Sequence, residues 1–285
     1  MDQVLFIVWR ESVEAMLVIG ILYAWLRGNP NAGQGMRYLW GGVAAGLGFA
    51  FLLGGTILLF DEMLPEGAQD YFQLAMVLVA SALIVQMVLW MKRHGRHLKR
   101  TLEQGMQQNV DNTNWWGMLL LVALAVGREG SETVIFLYSS GVAQQGMALL
   151  HFWLAAATGF VLALVTFWLL QLGGKVFSWR LFFRVTESLL LLLGASMLVT
   201  GVEKMIGLEW LPALVDPLWD SSALVPDDGR LGGLLSGLTG YRAQPSLMLL
   251  LCYAAYWAAV WFLLRRAQRA AAAPAVAAVA QGQRA

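Results

Sequence analysis

The chain reads as an all-α membrane protein with seven transmembrane helices, an inverted 3+3 repeat plus a seventh helix. Three observations predict this. Of its 285 residues, 59% are hydrophobic and 13% charged, with a mean hydropathy of +0.62, far more apolar than a soluble domain of that length. Seven stretches reach the roughly 20 mainly apolar residues that a membrane-crossing helix requires. One charged pattern, Arg-Glu-x-x-Glu, occurs inside both the first and the fourth of them, at 10–14 and 128–132.

The predicted spans cover about 4–26, 39–60, 71–91, 116–139, 150–172, 185–206 and 246–264. They form one membrane domain over 1–264, with repeat one at about 1–91, repeat two at about 116–206 and the seventh helix at about 246–264. The first span is not a cleavable signal peptide, because it lacks a basic leader and carries three charges at its middle. Residues 265–285, rich in Ala and Gln, are expected to be a disordered cytoplasmic tail. In the second span, Gly42 and Gly46 have the small-xxx-small spacing that lets helix backbones approach closely.

Orientation follows from Lys and Arg, which accumulate in short cytoplasmic loops. Alternate connections carry Arg27 and Arg37, then the run KRHGRHLKR at 92–100, then Lys175, Arg180 and Arg184; the last span runs into Arg265, Arg266 and Arg269. The other connections carry Asp61, Glu62, Glu66 and Asp70, and later Glu209, Asp216, Asp220, Asp227 and Asp228. The N-terminus is therefore expected outside and the C-terminus inside. The first span then enters from outside and the fourth from inside, the pattern of inverted repeats whose substrate site lies near the midplane. With a rise of about 1.5 Å per residue, the two motifs fall at overlapping depths.

Residues three and four apart share a helix face. Glu11 and Glu14 therefore project together, with Arg10 one turn from Glu14, and Glu129, Glu132 and Arg128 repeat the arrangement. Charges at such depth are costly unless they pair or face a watery cavity. Internal Arg–Glu bridges that merely fix packing would account for one glutamate per motif. Together the motifs hold four carboxylates against two guanidinium groups, and that excess calls for a cation or bound protons. All donors would be oxygen, since His94, His97 and His151 are expected in loops. Oxygen donors suit hard cations such as Mg²⁺, Ca²⁺, Mn²⁺ and Fe³⁺, and give no reason to select Cu(I).

Other polar residues rank lower as path residues. Glu187 is expected to pair with nearby Arg184, or to line an exit; Glu203 and Lys204 are expected to reach the headgroups. Asp61, Glu62 and Glu66 read as a solvated acidic loop. A net charge of +1 argues against nucleic acid, and the single Cys252 excludes an internal disulfide.

The sequences WRESVEAML and VGREGSETV, with LWDSSALVPDDGRLGGLLSGLTGY before the last span, resemble the oxidase-dependent iron permeases, the high-affinity iron permease family of yeast and bacteria. The resemblance implies a multi-pass protein of the plasma membrane, the inner membrane in a bacterium, moving iron inward. It makes Glu11, Glu14, Glu129 and Glu132 the metal ligands and Arg10 and Arg128 their ion-pair partners. It implies no permanently bound cofactor, iron as the transported substrate, and an external or periplasmic oxidase or iron-binding protein as partner, besides the lipid bilayer. Acidic residues receiving iron outside would be Asp216, Asp220, Asp227 or Asp228. The rival readings are a permease or proton exchanger for Mn²⁺ or Ca²⁺, and an intramembrane enzyme using paired carboxylates; the chain is expected not to be an enzyme.

Overall fold

The computed structural model describes residues 2–29, 33–94, 98–112, 114–141, 147–171, 179–227 and 229–282. Among them the chain is all helical, with α1 (Asp2–Gly28), α2 (Gly35–Met63), α3 (Glu66–His94), α4 (Leu98–Asp111), α5 (Trp115–Ser139), α6 (Met147–Gln171), α7 (Trp179–Gly207), α8 (Arg230–Thr239) and α9 (Leu247–Gly282). Five helical stretches, Gly35–Met63, Gly67–Lys92, Met147–Leu169, Arg184–Gly207 and Leu247–Ala267, are long and apolar enough to cross a membrane. The other two long helices, α1 with 27 residues and α5 with 25, each carry three charges in their interior.

Two compact units divide the chain: Met1–Ala80 with Leu98–Thr186, and Ser81–His97 with Glu187–Ala285. In the first, α2 lies along α5. A Cβ on Gly42 would meet the carbonyl oxygen of Leu119 and the side chain of Val122 at 2.7 Å. One on Gly46 would meet Ala123 O and Gly127 N at 2.9 Å. Further along, Gly130 faces Ala50 and Gly54 faces Val134. Both helices advance together in this register, so they are parallel. The small-xxx-small pair thus does what its spacing predicts.

The helix α6 runs parallel to α1 in the same way. Gly159 lies against Leu5 O and Trp9 N, Val13 packs with Ala163, and Gly20 meets the ring of Phe167. A hydrogen bond from Trp9 Nε1 to Thr166 Oγ1, 2.9 Å, ties the pair further.

The connection between the third and fourth predicted spans contains a helix that charge counting did not reveal. In α4, Leu102, Met106 and Val110 fall one turn apart and join the apolar cluster of Leu22, Leu26, Leu39, Met118 and Val122. Met106 is fully buried, so α4 lies against the ends of α1, α2 and α5 with its polar face turned away. Residues 95–97 of the basic run fall outside the described residues, as does Lys175. His94 and His151 lie within α3 and α6, where loops were expected.

In the second unit, α3, α7 and α9 meet around Gly194. Ser81 Oγ donates to Gly194 O and Tyr256 OH to Leu191 O, both at 2.8 Å. Near the start of the α7 portion, Lys92 pairs with Glu187 at 3.2 Å. Near its end, Arg242 forms a bidentate pair with Glu203. The two pairs are 16 residues apart, about 24 Å along a helix. Glu187 bridges to Lys92 of α3, a partner that proximity in sequence does not suggest, and Glu203 is folded against the loop instead of reaching for headgroups. Sequence proximity finds only local partners, and these two are 95 and 39 residues apart.

Residues 208–227 and 229–246 form a folded cap. Val215 O, Leu218 N and Ser221 N bond Leu247 N, Pro245 O and Ala243 O in antiparallel order, α8 sits within the segment, and Ser196 Oγ of α7 donates to Ser236 O at 2.9 Å. Helix α9 continues to Gly282, through the stretch expected to be a disordered tail. Alanine, the best helix former, dominates there and lets the helix of the last span propagate outward.

The helix clamp is testable. Gly46→Ala pushes α2 off the α5 backbone and should cost about 1–3 kcal/mol, while Gly48→Ala on the same helix meets nothing within 4 Å and should leave stability unchanged. Thermal unfolding of both variants in detergent would decide; equal melting curves would mean that α2 and α5 are not in this contact.

Candidate metal centre

The two charged motifs sit on α1 and α5 of the same unit, and their positions follow from the clamps. Gly159 grips α1 at Leu5 and Trp9, six and two residues before Glu11. Gly46 grips α5 at Ala123 and Gly127, six and two residues before Glu129. The helix following each motif helix in sequence clamps the other motif helix. Each pair of carboxylates is thus delivered at the same height above the same kind of contact.

Within the first motif, Arg10 uses its two terminal nitrogens separately: Nη1 to Glu11 Oε1 at 2.8 Å and Nη2 to Glu14 Oε1 at 2.5 Å. Arg10 and Glu11 are each about 1% exposed. In the second motif the grip is looser. Arg128 Nε donates to Glu132 Oε1 at 3.1 Å and lies 3.8 Å from Glu129 Oε1, with the arginine one-third exposed. Two hydroxyls fold back onto this turn, Ser131 Oγ to Arg128 O and Thr133 Oγ1 to Glu129 O, both at 2.8 Å.

The motifs come together. Carboxylate oxygens of Glu11, Glu14 and Glu129 all lie within 4.8 Å of one another. Glu132 interacts electrostatically with Glu11, and Glu14 with Arg128, so the charges of each helix act on those of the other. The arginines do not use up the acids. Glu11 Oε2, Glu129 Oε2 and Glu132 Oε2 are buried and have no hydrogen-bond partner among the described residues. Buried carboxylate oxygens left in this state are costly. A hard cation between them would satisfy several at once, and oxygen-only donors are the set such a cation prefers.

Of the lower-ranked residues, Glu187, Asp216 and Asp220 belong to the second unit. Glu187 is engaged by Lys92. Asp216 and Asp220 are exposed. Hydrogen bonds from the hydroxyl and backbone N–H of Ser222 and from the Gln244 amide hold the Asp220 carboxyl below its ordinary range. Both oxygens of Asp227 accept from the backbone N–H of Ala243, which makes that residue a fastening of the cap. Asp228 lies outside the described residues. Sequence reasoning missed Gly159, although Ala155, Gly159 and Ala163 stand at small-xxx-small spacing on α6.

No solved structure matches the chain. The chain is similar to the protein named ferrous iron permease EfeU of Escherichia coli O6:K15:H31 (strain 536 / UPEC), 27% identical over 261 residues, which is 90% of each chain. It is similar also to that of Yersinia pestis, 25% identical over 274 residues, 95% of this chain and 96% of the relative. The family model described as the iron permease FTR1 family matches residues 1–280, with both charged motifs inside the match. The protein is a member of the iron permease FTR1 family.

Proposed function

We propose that this iron permease carries ferrous iron inward across the cell membrane through one centre built from Glu11, Glu14, Glu129 and Glu132, with Arg10 and Arg128 as positioning residues. The observation that carries the reading is the convergence of three carboxylates from two helices within 4.8 Å, with further oxygens buried and unpartnered beside them. When all four glutamates are ionised, the two arginines leave an excess of two negative charges, which one divalent ion neutralises. The names of the relatives, ferrous iron permeases, support the same ion. Iron is the cargo in this reading, not a resident cofactor, and the chain is a transporter and not an enzyme.

Helix parity supports seven spans. The parallel pairs α2/α5 and α1/α6 require an odd number of crossings from one member to the other. That is satisfied if α1 and α5 cross the membrane, despite their charges, and α4 does not. Its 14 residues, about 21 Å long, are too short and too polar to cross. The matching placement of Gly46 and Gly159 supports an inverted 3+3 repeat with α9 as the seventh helix. Placing the basic end of α3 inside puts the N-terminus outside and the C-terminus inside. The cap is then on the external side. Its exposed Asp216 and Asp220 support a docking place for an oxidase or iron-binding protein that hands iron over.

Glu14→Gln and Glu132→Gln keep shape but remove an anionic oxygen. In proteoliposomes loaded with purified protein, each should lower Fe²⁺ uptake by more than about tenfold, while Glu187→Gln is much milder. Normal uptake by both variants would remove them from the ion site. Parallel assays with Mn²⁺ and Ca²⁺ test the rival cargoes.

The arginines should differ. Lysine offers one point charge and cannot bridge two acids as the Arg10 fork does, whereas Arg128 Nε holds Glu132 at 3.1 Å and lies 3.8 Å from Glu129. Arg10→Lys should therefore abolish uptake, and Arg128→Lys should retain a measurable fraction. Equal activities would show that only charge matters at both positions.

A further inference from the structure

Three long apolar helices that meet in the second unit mark the level of the bilayer midplane. Their contacts converge at Gly194, where Ser81 and Tyr256 bond the backbone of α7. Ser81 stands 14 residues from one end of the apolar stretch Gly67–Lys92 and 11 from the other. Gly194 stands 10 and 13 residues from the ends of Arg184–Gly207, and Tyr256 stands 9 and 11 from those of Leu247–Ala267. Three midpoints thus coincide, and Gly194 lies at the middle of the hydrocarbon.

Helix α8 ends near that level. Ser196, two residues from Gly194 and about 3 Å further along α7, donates through Oγ to Ser236 O at 2.9 Å. A Cβ on Gly240 would lie 3.1 Å from Ser196 Cα and 2.9 Å from the Val199 side chain. Gly240 closes the helix in the left-handed conformation, φ 76°, which suits glycine. The other end of α8 stands nearer the surface. Both Asp227 oxygens accept from Ala243 N–H, and the neighbouring Arg242 donates bidentately to Glu203. Glu203 is seven residues, about 10 Å, along α7 from Ser196. The 10 residues of α8, about 15 Å of helix, cover that descent.

The chemistry of the segment fits this depth. No charged residue occurs from 231 to 241. Gly232 and Gly240 are buried and Ser236 bonds α7, whereas Leu231, Leu234 and Leu235 on the other face are 75%, 39% and 44% exposed. Hydroxyls occupy the carbonyls of the last turn: Ser196 bonds Ser236 O, Thr239 Oγ1 bonds Leu235 O at 2.7 Å, and Tyr253 OH of α9 bonds Thr239 O at 3.1 Å. Water would serve these groups in an external loop, but inside hydrocarbon the protein must supply the partners. Arg242 also donates to Ser236 Oγ, which sets its charge near the negative end of the α8 dipole with Glu203 to neutralise it.

We propose that residues 230–242 form a re-entrant segment in the leaflet on the cap side, with Leu231, Leu234 and Leu235 docked against lipid acyl chains. Helix α8 descends to the midplane, and the chain turns at Gly240 and returns past Arg242. Depth names the occupant: an apolar face left open between the levels of Glu203 and Ser196 meets hydrocarbon. The inference is independent of the cargo and needs only that α3, α7 and α9 cross the membrane.

The test is nitroxide labelling of the full chain in phosphatidylcholine nanodiscs, in a Cys252→Ser background with single cysteines. Leu231→Cys and Leu235→Cys probe α8; the exposed Leu251 of α9 and Asp216 of the cap, each changed to Cys, are the lipid and water references. Both α8 labels should collide with oxygen in preference to a water-soluble nickel chelate, as Leu251→Cys does and Asp216→Cys does not. Leu235→Cys should read roughly 4–6 Å deeper than Leu231→Cys, and Leu234→Cys replaces it if it is not monodisperse. Chelate access at both α8 positions equal to that at Asp216→Cys would put the segment in water. Shielding from both reagents would mean that protein covers the leucines, and equal depths would lay α8 flat on the surface; each of these results overturns the proposal. No iron enters the measurement, so a failed transport assay leaves it intact, and a wet α8 leaves the glutamate centre standing.

Discussion

Uncompensated negative charge in the bundle interior is the constraint on which the rest of the first unit depends. Four glutamates share two arginines, and three carboxylate oxygens remain buried without hydrogen-bond partners among the described residues. Buried ion pairs contribute little net stability even when complete, because the desolvation of both partners offsets their attraction. An incomplete set costs stability. The surrounding packing has to hold α1 and α5 together against that repulsion, and the glycine contacts are where it does so. Gly46 and Gly159 bring neighbouring helices to backbone contact immediately before each motif, so dispersion acts over the shortest possible distance beside the charges.

The two halves of the centre are not equivalent. Arg10 is fully buried and bridges two acids with separate nitrogens, while Arg128 is one-third exposed and reaches Glu129 only at 3.8 Å. Rearranging the α1 half breaks two short charge-assisted bonds in a dry environment. On α5 the corresponding pair of Arg128 and Glu132 is longer, 3.1 Å, and its arginine is less buried. The α1 motif is therefore the more tightly packed of the two.

Much of this was legible in the sequence because the bilayer admits few solutions. Apolar runs of fixed length locate the long helices to within a few residues at most boundaries, and charges inside such runs have few innocent explanations. What escaped depends on tertiary register. Helix α4 hides in a polar stretch where only Leu102, Met106 and Val110 betray a buried face. Glu203 and Glu187 pair with residues that no local rule connects to them. Gly159 carries a small-xxx-small signal with Ala155 and Ala163, which a reading confined to glycine pairs passes over.

The exchange of partners between the motif helices constrains how the centre opens. Close glycine contacts join α1 to α6 and α2 to α5, each between one motif helix and the helix following the other. Separating helices within a pair would break backbone-level contacts along several turns. The motifs themselves face each other across the pairs, through carboxylates whose repulsion already opposes the contact and which a bound cation draws together. Separation between the pairs would lose less of this glycine-level packing than separation within either of them.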